Sequence, residues 1–280
     1  MSSLRFVTSN LLNGMSLADG TVDVDRMVKS LTALQPDVLG LQEVDRFQHR
    51  SAMCDQTEAI AKAIPGASWR FVPALIGEPG KTWRPATDDD AASGHDLPSV
   101  PSSSAAFGTG LVTTLPVREW HVVRVQPFPL RAPVFIPGAN SLLMIDDEPR
   151  VCLAAVVEFE GRTMTVAATH ASFVPGWNVK QLRAMRRALV QLPAPRILLG
   201  DLNLPAPLPA KVMGWRPLAS GHATFPSPSP KMQLDHVLLD DPGARLDGTW
   251  RSQAHLLDFS DHRAVSVDYM SGYTPSNVSR

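Results

Sequence analysis

Cysteine is nearly missing from this chain: Cys54 and Cys152 are the only two among 280 residues. Neither sits in a Cys-x-x-Cys, so they make no disulfide framework and no thiolate zinc site, and both are expected as free thiols of a cytoplasmic protein. Long apolar runs are missing too. No stretch approaches the roughly 18 apolar residues of a spanning helix, and MSSLRFVTSN lacks the basic start and apolar core of an export signal. No stable membrane association is expected. An excess of one charge is missing as well, since 26 Lys and Arg stand against 27 Asp and Glu, a formal net charge of −1. Proteins whose main task is gripping long nucleic acid usually carry a basic surplus, so that class is disfavoured, while a local basic groove fits the numbers. HExxH, GxSxG and the Walker loop are all absent, which sets aside the zinc-protease, nucleophile-elbow and nucleotide-loop chemistries.

What is present is an ordinary soluble composition, 44% hydrophobic and 19% charged, in a chain long enough to bury a large core. LRFVTSN reads as a strand. Asp23 or Asp25 caps a helix carrying Val24, Met27, Val28, Leu31 and Leu34 at helical spacing, and Pro36 stops it. DVLGLQ is a second buried strand, followed by a helix around Gln56 to Ile64 and a strand at SWRFVPA. GLVTTLPVREWHVVRV gives two strands broken at Pro116, and RVCLAAVVEF with TMTVAATH forms a hairpin about Glu160-Gly161-Arg162. A helix from Asn178 to Leu192 places Leu182, Met185, Leu189 and Leu192 on one stripe. RILLG, QLDHVLLD, RSQAHLLD and RAVSVDYM complete the elements. Two segments, 77–104 and 126–149, have no usable period and read as long loops. Asp88 to Asp90 in the first is a solvated acidic run. No repeat or composition break divides the chain, so residues 1–280 are expected as one domain of mixed α/β (α+β) type.

The informative residues stand where apolar strands stop. LRFVTS ends at Asn10, VLGLQ at Glu43, MTVAAT at His170 and RILLG at Asp201 and Asn203; QL opens on Asp235 and His236, and FS on Asp261 and His262. Any one of these is an ordinary turn residue. Together, on strands of one layered sandwich, they converge in one cleft, and no core needs so many carboxylates and imidazoles, because buried charge is costly unless paired or metal-bound. Carboxylate and amide oxygens suit a hard cation, Mg²⁺ or Mn²⁺, rather than structural zinc. Ser172, two residues after His170, has no elbow around it, so a serine hydrolase is disfavoured. Metal-assisted hydrolysis is left.

The ordered set SN, LQEVD, ATH, GDLN, LDHV and SDHRAV resembles the endonuclease/exonuclease/phosphatase superfamily, the fold of deoxyribonuclease I, abasic-site endonucleases, neutral sphingomyelinases and inositol-polyphosphate 5-phosphatases. The likeness runs from Leu4 to Met270. It implies a four-layer sandwich, with two mostly antiparallel sheets face to face and helices outside. Carried over by position, it implies Glu43 as the principal Mg²⁺ (or Mn²⁺) ligand, supported by Asn10 and Asp261. Asp201 would activate the attacking water, with Asn203 holding that water or a phosphoryl oxygen. His262, its tautomer set by Asp235, would donate to a non-bridging oxygen, and His170 would contact the phosphate from the opposite wall. Arg150, just before the hairpin, is a substrate-binding candidate; a surface arginine is the equal alternative. His236 reads as a sheet residue. Ala168 and Thr109 depart from the family's usual asparagines, and Phe107 keeps a common aromatic.

The implied reaction is in-line attack of water on phosphorus with no covalent intermediate. The near-neutral charge favours a small or single-ended phosphodiester or monoester in a monomeric enzyme. Alternatives are an endo- or exonuclease acting on DNA or RNA, a sphingomyelinase-like enzyme docking through Phe128, Phe135 and Ile136, and an inactive binding module. Trp83 and Arg84 in the first long loop are nucleotide-stacking candidates or loop anchors.

Overall fold

The computed structural model describes residues 2–136 and 141–272. Two sheets dominate. The first holds β1 (Ser3–Asn10), β2 (Val38–Arg46), β3 (Ser68–Gly77), β4 (Trp83–Pro85), β5 (Ser93–Gly94), β6 (Ala106–Thr113), β15 (Thr249–His255) and β16 (Ala264–Met270). Their order is β15-β16-β1-β2-β6-β3-β4, with β5 also on β3, and only β1 and β2 run parallel. The second holds β7 (Val117–Val125), β10 (Arg150–Phe159), β11 (Arg162–His170), β12 (Arg196–Asp201), β13 (Arg216–Pro217) and β14 (Asp235–Asp240). Its order is β13-β14-β12-β11-β10-β7, again with one parallel pair, β11 and β12. The expected α+β sandwich of two mostly antiparallel sheets is what forms.

Side-chain alternation makes the layers. Phe6 of β1, Ile197 and Leu199 of β12, Val166 of β11 and Val267 of β16 point inward and pack in one buried cluster shared by both sheets. Val7, Leu39 and Leu41 point the other way, onto Met27 and Leu31 of α1 (Val24–Thr32) and Ile60 of α2 (Gln56–Lys62). Leu198, Ala154 and Ala167 point outward from the second sheet, onto Leu182, Met185 and Leu189 of α3 (Trp177–Leu189) and Met213 of α4 (Leu208–Met213). Helix, sheet, sheet, helix is therefore the layer order. Asp23 rather than Asp25 caps α1, accepting from the Arg26 amide at 3.0 Å.

The sequence reading and the structure differ in three places. The strands either side of Pro116, β6 and β7, belong to different sheets, so the break is a crossing between layers. Segment 126–149 carries a separate two-stranded sheet, β8 (Arg131–Ile136) and β9 (Ser141–Asp146), rather than a plain loop. Pro133 hid it: a proline argues against a strand, yet each strand of a two-stranded ribbon has a free edge that tolerates a missing N–H. The side chains of Phe135 and Ile136 lie outside the described residues. The proline-rich segment after β12, which gave no element in the sequence, forms α4. Segment 77–104 stays mostly irregular but is tied down: Arg84 pairs with Asp90 at 2.6 Å, Asp88 with Arg124, and buried Arg46 donates to Ala91 O at 2.7 Å.

The sheets approach closely beneath the strand ends. A Cβ on Gly40 of β2 would meet those of Leu199 and Ala168 at 3.0 and 3.1 Å, so Ala168 faces the other sheet and its small size serves that approach. At Gly200 a Cβ would stand 2.2 Å from Thr169 O of the paired strand. Gly200→Ala is expected to cost about 2 kcal/mol through backbone displacement. Urea unfolding should show a lower midpoint with an unchanged slope, and an unshifted midpoint would show that the strands separate freely there.

Candidate active site

Asn10 closes β1, Glu43 sits late in β2, His170 closes β11, Asp201 closes β12 and Asp235 opens β14. The parallel pairs β1–β2 and β11–β12 run in register to these ends, with Asn10 opposite Gln42 and His170 opposite Asp201, while Asp201 is also opposite Asp235. Convergence is thus a consequence of topology. Glu43, His170, Asp201, Asn203, Asp261, His262 and Arg150 line one cleft of about 540 Å³, with Asn10 and Asp235 buried behind it.

Two of these residues reach the cleft by leaving regular geometry. Register slips between Leu41 and Val44, where Gln42 and Glu43 oppose the single residue Thr109, and Glu43 takes φ +53° in this bulge. Asn203 takes φ +48°, with its amide N donating to Asp201 Oδ1 at 3.0 Å. Asp201 and Asn203 therefore share the cleft through a tight turn, not through the alternation of an extended strand. Left-handed backbone at non-glycine residues is held only where the surroundings over-determine it, and such positions cluster at functional sites. The SDH segment is fastened similarly. Ser260 Oγ donates to Asn10 O at 2.7 Å and accepts from the His262 amide at 3.0 Å.

At the centre stands Asp201, 1% exposed. Asn10 Nδ2 donates to Asp201 Oδ2 at 3.1 Å and to Glu43 Oε1 at 2.9 Å, while Asn10 Oδ1 accepts from the Leu12 amide at 3.0 Å. Turning this amide over would set its oxygen against two carboxylates, so Asn10 acts here as a bridge between them. Nε2 of His170 and of His262 each lie 3.6 Å from Asp201 Oδ2. His262 Nδ1 donates to Asp235 Oδ2 at 2.8 Å, and its ring tilts against Phe225 with centroids 4.8 Å apart. Arg150, 6% exposed and so not a surface arginine, places Nη1 3.1 Å from His170 Nδ1.

Burial is the first cause of every shifted pKa here. It raises the Glu43 carboxyl to about 7, against the Asn10 hydrogen bond and helped by repulsion from Asp261. It raises Asp201 and Asp261 as well, each opposed by the His262 charge. It works against charge on His262, but Asp235 and Asp201 outweigh it and lift that imidazole to about 10. On His170 burial combines with the positive Arg150 and His262 to hold the ring well below its ordinary value. One imidazole is a cation and the other neutral.

A divalent cation fits this set. Glu43 and Asp261 offer hard oxygen donors in one cleft, and neither has an ion-pair partner among the described residues. Donor atoms of Asp201, Asp235 and His262 also lie within 4.8 Å of one another. An imidazolium has no lone pair to give, however, and His262 is held protonated by both carboxylates.

Other sequence candidates fall elsewhere. Ser172 Oγ donates to buried Asp147 at 2.8 Å, and neither residue lines the cleft. His236 bonds to Leu204 O in the sheet, and Thr109 to Val151 O. Trp83 and Arg84 do not line the cleft. Sequence reasoning missed Arg50, Glu148, Phe173 and Phe225 as lining residues. They come from turns and loops with no periodic signal; the one textual hint was the aromatic of TFPSPSP shortly before LDHV.

The family model described as Endonuclease/Exonuclease/phosphatase family matches residues 7–262. A search of curated proteins returned no match. Among solved structures, an endonuclease/exonuclease/phosphatase from Bacteroides vulgatus superposes with TM-score 0.64 at 13% identity, covering 97% of this chain and 100% of its own. The protein so named from Beutenbergia cavernae gives 0.62 at 20% identity, covering 97% and 72%. Sphingomyelinase C from Streptomyces griseocarneus gives 0.57 at 17%, covering 96% and 100%. At these identities the structures establish the fold.

The His262–Asp235 pair makes a pH prediction. Because the folded pKa is raised above the ordinary 6.5, its contribution to stability is complete below that value and is lost as pH rises through about 10. NMR titration of the metal-free protein should find His262 still protonated at pH 8. Asp235→Asn should lower the midpoint by more than about one unit. A wild-type midpoint near 6.5 would show that the buried carboxylates do not control the ring.

Proposed function

This chain belongs to the endonuclease/exonuclease/phosphatase family, whose members are hydrolases acting on ester bonds, and from that premise we propose that it is a Mg²⁺- or Mn²⁺-dependent phosphoesterase. The observation that carries the reading is Asp201, a buried carboxylate with its pKa raised, set between one cationic and one neutral imidazole beside two cleft carboxylates that have no ion-pair partner among the described residues. A general base works best when its pKa lies toward the working pH, and burial moves Asp201 in that direction. Asp201 takes the proton of the attacking water. Asn203, fixed through its amide to Asp201, orients that water or a phosphoryl oxygen. His262 donates from Nε2 to a non-bridging oxygen, its charge kept by Asp235. His170 faces the phosphate from the other side. Water displaces the leaving group in line, without a covalent enzyme intermediate.

A cation held by Glu43 and Asp261, with Asn10 fixing Glu43, would supply Lewis-acid polarisation of a phosphoryl oxygen. The single-domain reading is supported by the pairing of the first strand with the last, Ser3 opposite Met270. A small or single-ended phosphoester is preferred as substrate, because carboxylates outnumber basic groups in the cleft wall.

With bis-p-nitrophenyl phosphate, turnover should require added Mg²⁺ or Mn²⁺, and Asp201→Asn should lower kcat by about 10²- to 10⁴-fold. Glu43→Gln should move the metal titration to higher concentration, whereas Asp235→Asn should leave it in place. Full turnover in EDTA, or by Asp201→Asn, overturns the reading; a titration moved only by Asp235→Asn relocates the metal to the Asp201–Asp235–His262 cluster. A panel of abasic and nicked DNA, short RNA, sphingomyelin and inositol phosphates identifies the ester, and steeply salt-dependent cleavage of duplex DNA would reverse the small-substrate preference.

A further inference from the structure

The two imidazoles beside Asp201 are equidistant from it, yet their Nδ1 atoms face partners of opposite kind. Asp235 accepts a proton from His262 Nδ1, whereas Arg150 can only donate to His170 Nδ1. A guanidinium carries five N–H donors and no acceptor. Nδ1 of His170 must therefore hold a lone pair, and the single proton of the neutral ring falls on Nε2. That atom lies 3.6 Å from Asp201 Oδ2 and 3.0 Å from Asn203 Nδ2. The Asn203 amide is oriented independently, because Nδ2 also donates to Ala171 O at 3.0 Å. Two donors thus converge on a ring with one lone pair, and one must yield.

Charge decides which. A hydrogen bond from a charged donor is roughly twice as strong as one between neutral groups. Arg150 is buried, its Nε has no hydrogen-bond partner, and its carboxylate neighbours stand off at 3.5 Å (Glu148) and 3.7 Å (Asp147). The imidazole is its one close acceptor among the described residues, so Arg150 keeps Nδ1. We propose that Arg150 is a positioning residue that fixes His170 as the neutral Nε2–H tautomer, so that His170 Nε2 and Asn203 Nδ2 form a two-donor cradle for one anionic oxygen of the substrate. Side by side, the two donors repel; an anionic oxygen lying against both turns that contact favourable. The cradle's ligand rests on the phosphoesterase reading, but the tautomer does not.

The test is long-range ¹H–¹⁵N NMR of the histidine rings in metal-free protein at pH 7, with His170 assigned from the His170→Gln spectrum. His170 should show a bare Nδ1 and a protonated Nε2, and inorganic phosphate should shift Nε2 and leave Nδ1. Arg150→Met should reverse the pattern, since Asn203 then claims Nε2, while Arg150→Lys should keep it. In turnover, Arg150→Met should lower kcat about 100-fold, the cost of one oxyanion donor, with KM little changed and most activity restored in Arg150→Lys. A wild-type ring protonated on Nδ1 or on both nitrogens, an Nε2 that ignores phosphate, or an unchanged pattern in Arg150→Met overturns the proposal. If Arg150→Met does not fold, the wild-type and Arg150→Lys spectra decide. The expected spectra with no phosphoester turned over would support the cradle and sink the function.

Discussion

Everything at this site depends on a carboxylate kept out of water. Burying one large apolar side chain is worth about 2 kcal/mol. An ionised carboxylate taken from water costs several times that unless something compensates it. Asp201, Asp235 and Glu43 are compensated differently. Asp235 has the imidazolium of His262, and Asp201 has that same charge at longer range plus hydrogen bonds from Asn10 and Asn203. Glu43 has one amide hydrogen bond and a pKa carried to about 7. The least compensated carboxylate is the one facing the cleft, where a cation from solvent can complete it.

The core beneath makes this affordable in stability and fixes its geometry. Inward-facing Leu199, Ala168 and Gly40 bring the sheets together directly below the strand ends. Asn10 of one sheet can then bond Asp201 of the other, and that hydrogen bond joins the two halves of the site. Substituting a larger residue at Gly40 or Ala168 would part the sheets at this point and lengthen the bridge, so Ala168 belongs to the architecture of the site without touching its contents.

Much of this was legible in the sequence, for a definable reason. Strands buried on both faces read as short apolar runs, and a polar residue at the edge of such a run stands out; Asn10, Glu43, His170, Asp201, Asp235 and His262 were all visible in that way. What was hidden lay where geometry departs from periodicity. The bulge at Glu43 and the left-handed Asn203 alter which way side chains point without altering composition. Arg150 was found but its direction was not, because a strand-initial arginine reads the same whether it faces solvent or a histidine. Phe225 and Glu148 come from turns, whose placement depends on distant contacts such as Arg263 N to Thr224 O beside Phe225.

The charge balance of the cleft bears on what enters it. Glu43, Asp146, Glu148, Asp201 and Asp261 line it, against the guanidiniums of Arg50 and Arg150 and the His262 cation. Arg50 is also neutralised by buried Asp45, with both hydrogen bonds at 2.8 Å. A phosphoester anion therefore meets an excess of negative charge everywhere except beside the cationic imidazole, the two-donor pair and the place where Glu43 and Asp261 await a counter-charge. Asp146 and Glu148 are only loosely offset, by Arg131 at 3.7 Å and Arg150 at 3.5 Å, so the further phosphates of a polyanion would meet carboxylates without a close hydrogen-bonded counter-charge. The same carboxylates that suit this cleft to a cation would weigh against a ligand carrying more than one phosphate.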